Sequence, residues 1–136
     1  AAMIPVGQAL ETSGISLNIA NFISTSTEGM ALPWLILMIL VVTMFVSDIV
    51  NNAATAVIMA PIAASLANQV GQPVEPFLMA VAVGASCAFL SPIGHQCNTL
   101  VMAPGNYKFG DYWRLGLPLE CVIVAISIPM ILFVWT

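Results

Sequence analysis

Long apolar runs separated by short polar clusters organise this sequence. Residues 1–10 are apolar and end at Glu11-Thr12-Ser13-Gly14, a polar stop closing on a glycine of the kind that terminates helices. Ile15, Leu17, Ile19, Phe22 and Ile23 then alternate with Ser16, Asn18, Asn21 and Ser24. That stretch is too short and too polar to cross a bilayer, and residues 1–29 therefore predict a helix end followed by an interfacial element. Residues 32–46 are almost wholly apolar, Ser47-Asp48-Ile49-Val50-Asn51-Asn52 interrupts, and residues 53–67 are apolar again. A membrane span takes about 20 apolar residues, and each run falls short of it. Two readings compete. One is a single long helix whose polar residues face a neighbour. The other is a re-entrant hairpin over 30–70, two half-length helices meeting at a non-helical tip over residues 47–52 at mid-membrane, where irregular backbone survives only against protein or water. A charge and two amides crowded at one point favour the hairpin.

The second half of the chain repeats the theme. Residues 68–76 form a loop rich in Gly, Pro and amide side chains, and 77–90 are apolar. The run then stops at Ser91-Pro92-Ile93-Gly94-His95-Gln96-Cys97-Asn98 before the apolar character resumes over 100–103. Proline and glycine beside His, Gln and Asn, between apolar flanks, predict a broken helix over 74–103 with an unwound middle. Residues 104–116 carry both basic residues, Lys108 and Arg114, with Tyr107, Tyr112 and Trp113. This reads as a loop with headgroup-level aromatics, cytoplasmic by the positive-inside rule, while the loops around Glu28 and Glu75 fall outside. Residues 117–135 read as a final spanning helix, with Pro118 near its start, where proline is tolerated. That placement puts Glu120 close to the cytoplasmic surface.

Composition agrees. Of 136 residues, 60% are hydrophobic and 6% charged, where a soluble domain carries about a quarter charged residues. The chain is thus an all-α membrane protein, in the lipid bilayer of the cell (inner) membrane. A net charge of −4 with two basic residues excludes a nucleic-acid footprint. Cys87, Cys97 and Cys121 show no metal-site or redox spacing and read as small packing residues. The opening AAMIPVGQALETSG has no basic leader and no initiator methionine, as an internal stretch of a longer polypeptide would.

The two polar breaks carry the chemistry. Transporters place substrate and coupling-ion sites at discontinuous helices near the midplane. A helix starting there offers free N–H groups to an anion. An unwound stretch offers carbonyl oxygens to a hard cation such as sodium, and Asn and Ser add neutral oxygens. No arrangement of nucleophile, base and acid suggests an enzyme.

The segments SDIVNNAATAVIMAPIA (residues 47–63) and GASCAFLSPIGHQCNTLVMAPGNYKFGDYWRLGLPL (residues 84–119) resemble the second half of the divalent anion:sodium symporter family, carriers of dicarboxylates, citrate and sulfate. The resemblance implies half of an inverted-repeat transporter, with a Ser-Asn-Thr signature at a hairpin tip and a Pro-rich kink in a broken helix. The signature falls on Asn51, Asn52 and Ala53, and the kink on Pro92 to Asn98. Carried over, it implies a sodium ion held by Ser47, the Val50 carbonyl, Asn52 and the Gly94 carbonyl. It implies substrate contact by Asn51, Asn52, Ala53 and His95, and sodium-coupled symport of a small divalent anion by alternating access.

Three positions depart from the family pattern. Asn51 stands for serine, Ala53 for threonine, and His95 for the kink threonine. Hydroxyls suited to a carboxylate are replaced, and an amide and an imidazole appear, which points toward the sulfate-type members. Each residue also has a structural reading: Asn51 and Asn52 as partners for freed backbone groups, His95 as a local support. Asp48 faces a water cavity, tunes the cation site or bonds the tip backbone. Two other functions stay open, an ion antiporter with Asp48 or His95 carrying a proton and a non-transporting membrane fragment or assembly subunit. Because the family's site is shared between two repeats, the partner is the amino-terminal repeat of the same transporter, or a second copy in a homodimer.

Overall fold

The computed structural model describes residues 4–26 and 28–135. Helices α1 (Ile4–Thr12), α2 (Ile15–Ser26), α3 (Leu32–Ile49), α4 (Asn52–Val70), α5 (Glu75–Ser86), α6 (Gln96–Met102) and α7 (Phe109–Trp135) follow in order, with no strand among the described residues. The Gly14 terminator acts where the sequence places it, and α4 runs to Val70, past the start of the loop expected at residue 68. Gly14, with φ of +73°, turns the chain between α1 and α2. Gly71, also left-handed, ends α4 in a Schellman cap: its N–H donates to Asn68 O at 3.3 Å and that of Gln72 to Ala67 O at 3.0 Å.

Helices α3, α4 and α7 are long and apolar enough to cross a membrane, and the chain is an integral membrane protein. α3 and α4 have 18 and 19 residues, about 27–29 Å of helix, so they are not half-length. The non-helical tip is also shorter than expected. Ser47, Asp48 and Ile49 continue α3, Asn52 opens α4, and only Val50 (φ −110°, ψ 156°) and Asn51 (φ −67°, ψ 155°) are extended between them. The polar cluster did not need to unwind because α5 and the segment after it supply its hydrogen-bond partners.

α5 packs closely against both α3 and α4, which touch each other far less. Ile36, Ile39 and Leu40 of α3, Ile62, Ala63 and Leu66 of α4 and Phe77 and Ala80 of α5 form the core. Close approach is set by Gly84, where a Cβ would stand 2.9 Å from Thr43 Cβ and 3.0 Å from Leu40 O.

The last helix begins at Phe109, eight residues before the expected Leu117. Asp111 explains the start, since its side chain accepts the Lys108 N–H at 2.8 Å and caps the first turn. Pro118 consequently lies in the helix interior. Most of α7 stays apolar and uncovered, with Leu115 at 78% and Phe133 at 90% exposure, a surface suited to hydrocarbon or to other helices rather than water. Of the cysteines, only Cys87 is a buried packing residue; Cys97 and Cys121 are exposed.

Candidate functional site

The break between α3 and α4 meets the break between α5 and α6. Ser47, fully buried near the end of α3, donates its hydroxyl to Ala85 O at 2.9 Å, at the end of α5. Asn52, the first residue of α4, presents its amide to three oxygens: Ser47 Oγ at 3.0 Å, Ala85 O at 3.1 Å and Gly94 O at 3.3 Å. Two orientations of that amide have different consequences. With nitrogen inward, it donates to all three and ties the helix ends together. With oxygen inward, oxygens from Ser47, Asn52, Ala85 and Gly94 converge with too few donors between them, an arrangement that a cation completes. All are neutral, hard oxygen donors, the ligand type that replaces the hydration shell of an alkali or alkaline-earth cation. With the Asn52 oxygen inward the residues present fit sodium; with the nitrogen inward the amide itself satisfies the three oxygens.

Ser47, Asn52 and Gly94, named from sequence as sodium ligands, thus come together, and Ala85 joins them. Ala85 was not named from sequence because a main-chain carbonyl leaves no mark in side-chain chemistry. Val50 lies at the same break, extended after α3, with its N–H returned to Val46 O at 2.8 Å. Gly94 is required sterically. A Cβ on it would stand 2.7 Å from Ser47 O and 2.7 Å from Ala88 Cβ, so only glycine lets the 87–95 segment lie against the end of α3.

Asp48 resolves differently from the alternatives open in sequence. It is 6% exposed, and Oδ1 accepts the Leu90 N–H at 3.0 Å, so it straps down the backbone of the second break rather than that of its own tip. On the far side, Asn98 donates from Nδ2 to Ala88 O at 2.9 Å and to Ser91 O at 3.3 Å. Its own carbonyl accepts from Tyr112 Oη at 2.7 Å. The 87–95 segment is non-helical, yet held from α3, α6 and α7.

The proposed substrate residues sit at the open edge. Asn51, Ala53 and His95 are exposed, and Asn52 is half-buried. Asn51 uses its side-chain oxygen to cap α4, accepting the Ala54 N–H at 2.8 Å, which leaves its amide nitrogen outward. His95 caps α6 with Nδ1, accepting the Cys97 N–H at 3.2 Å. An accepting Nδ1 leaves Nε2 as the N–H donor. The structural readings of both residues therefore hold, and each keeps one donor free.

Glu120 lies deeper in its helix than a start at residue 117 would put it. Because α7 starts at Phe109, Glu120 lies about 16 Å along the helix rather than in its first turn. It is 8% exposed, in a groove lined by Val41, Met44, Phe45, Leu90 and Leu117.

Comparison with known proteins fits this geometry. An uncharacterized transporter of Synechocystis sp. is 37% identical over 131 residues, which are 96% of this chain and 21% of that protein. Sodium/sulfate cotransporter 2 of Chlamydomonas reinhardtii is 30% identical over 132 residues, 93% of this chain and 14% of that protein. Sodium-dependent high-affinity dicarboxylate transporter 3 of Caenorhabditis elegans is 31% identical over 119 residues, 86% of this chain and 21% of that protein. The chain thus spans about a fifth or less of these relatives' length. Its match to the citrate transporter family runs over residues 1–136, and the chain belongs to that family, one of transporters rather than enzymes.

Proposed function

We propose that this chain supplies the carboxy-terminal half of the binding site of a sodium-coupled symporter for a small divalent anion, working by alternating access in the cell membrane. The observation that carries this reading is the convergence of Ser47, Asn52, Ala85 and Gly94 oxygens where two helix breaks meet. Sodium is held there by Ser47, Asn52 and the Ala85 and Gly94 carbonyls, with the Val50 carbonyl beside them at the α3–α4 break. The anion binds at the open edge against Asn51, Asn52, Ala53 and His95, with the amino-terminal repeat of the parent protein, or a second copy, closing the other side. Relatives named for sodium/sulfate and for dicarboxylate transport support both the coupling ion and the charge class. The test is uptake by the full-length parent in proteoliposomes, with a panel of sulfate, dicarboxylates and citrate, with and without a sodium gradient. Uptake driven by a pH gradient and indifferent to sodium would overturn the reading in favour of a proton-coupled carrier.

His95 is the residue that selects the anion, through its free Nε2–H. Threonine also caps helices well, so His95→Thr keeps the start of α6 while removing the imidazole. The expected outcome is weaker sulfate uptake and gained dicarboxylate uptake, read as competition between the two anions. An unchanged anion profile would make His95 a cap and nothing more.

A further inference from the structure

The Gly94 carbonyl has no side chain of its own to fix it, and the backbone leading into it is gathered on Ser91. Ser91 is half-buried in the 87–95 segment. Its hydroxyl donates to the carbonyl of Asp48, the residue following Ser47. The same oxygen accepts the N–H groups of Ile93 and Gly94, each at 3.3 Å. One hydroxyl therefore joins the end of α3 to both peptide groups leading into Gly94. From the other side, Asn98 holds Ser91 by its own carbonyl.

We propose that Ser91 is a positioning residue for sodium: it touches none of the Asn52-facing oxygens, and it sets where the Gly94 carbonyl stands relative to Asn52. Asp48 bonds the neighbouring Leu90 N–H independently, and Thr99 bonds Pro92 O. The segment therefore keeps its path when the Ser91 hydroxyl is removed, and what loosens is the last step to Gly94. The effect falls on cation affinity rather than on folding or on the rate of the transport cycle.

The inference rests on the sodium-coupled reading, and the experiment separates the two. In the full-length protein in proteoliposomes, anion uptake is measured against sodium concentration for wild type, Ser91→Ala, Ser91→Cys and Ser91→Thr. Ser91→Ala is expected to raise half-saturating sodium about tenfold, ~1.4 kcal/mol, with an unchanged maximal rate. Ser91→Thr restores the hydroxyl and is expected to return sodium dependence to that of wild type. Ser91→Cys keeps the volume with a weak donor and should resemble the alanine variant, which covers the case that alanine fails to fold. A sodium-dependent wild type with alanine or cysteine variants of the same half-saturation would overturn this inference alone. So would a loss confined to maximal rate, or one that threonine does not rescue. A wild type indifferent to sodium would overturn the sodium-coupled reading, and this inference with it.

Discussion

Gly94→Ala in the full-length protein is expected to abolish sodium-dependent uptake at ordinary sodium concentrations while the protein still inserts in the membrane. The added Cβ would meet Ser47 O and Ala88 Cβ, each at 2.7 Å, and Asp48 Cα at 3.2 Å. Two of these contacts are backbone atoms, which cannot rotate aside as the tip of a long side chain can. Overpacking of this kind costs about 1–3 kcal/mol. The least costly response is for the 87–95 segment to lift from the end of α3, carrying the Gly94 carbonyl away from Asn52. A few tenths of an ångström matter little to a hydrophobic core and much to an ion held by several oxygens at once. The control is Gly110→Ala, where the added Cβ has Trp113 Nε1 at 4.0 Å as its nearest neighbour and room to spare. Uptake and sodium half-saturation are the readouts, with size-exclusion elution as the check on folding. A Gly94→Ala protein with normal sodium affinity would show that the Gly94 carbonyl is not a ligand.

Asn52 gives the second large effect, because its amide faces three oxygens at 3.0–3.3 Å. Asn52→Ala is expected to raise half-saturating sodium by about ten- to a hundredfold, from the ~1–3 kcal/mol cost of leaving buried polar partners unsatisfied. Asn52→Asp is more informative. It fixes an oxygen inward whatever the native orientation, and without a cation it sets a carboxylate against two carbonyls. This variant is expected to melt lower than wild type in sodium-free buffer and to recover most of the difference when sodium is added, since a ligand that binds only the folded state stabilises it by mass action. Thermal melting of the purified full-length protein in choline against sodium is the measurement. A melting temperature indifferent to sodium would mean that the inward amide is a hydrogen-bond donor holding three helix ends together.

Which parts of this arrangement were legible in the sequence follows from what each signal physically reports. Gly14 and Gly71 stop helices through backbone geometry alone, and both stops are visible as letters. The meeting of the two polar breaks came from the family resemblance, which supplied Ser47, Asn52 and Gly94. The extent of the first break was misjudged because polar content was equated with unwinding. Ser47 and Asp48 are helical and buried, and their polarity is spent on Ala85 O and the Leu90 N–H across the fold, partners some forty residues away that no local pattern reveals. The start of α7 was misjudged in the opposite direction. Residues 104–116 read as a loop because they are polar and aromatic, and Pro118 was compatible with a helix starting at residue 117, whereas the Asp111 cap three residues after Lys108 was the better marker. Glu120 was counted from that later start, and its burial within α7 left no mark in the local pattern.

Asn52 apart, which faces both, the cation site and the anion edge draw on different groups of the polypeptide. Two of the proposed sodium ligands, Ala85 and Gly94, contribute main-chain carbonyls, which depend on the path of the backbone rather than on the chemistry of a side chain. The proposed anion contacts depend on side chains at exposed positions: Asn51, Ala53 and His95. Substitution at those three positions would then change which anion is carried without removing an oxygen from the cation. Such a protein can change its cargo in single steps while retaining the ion gradient that drives it, and variants selected for a new anion should accumulate their changes at the edge and leave the buried contact alone.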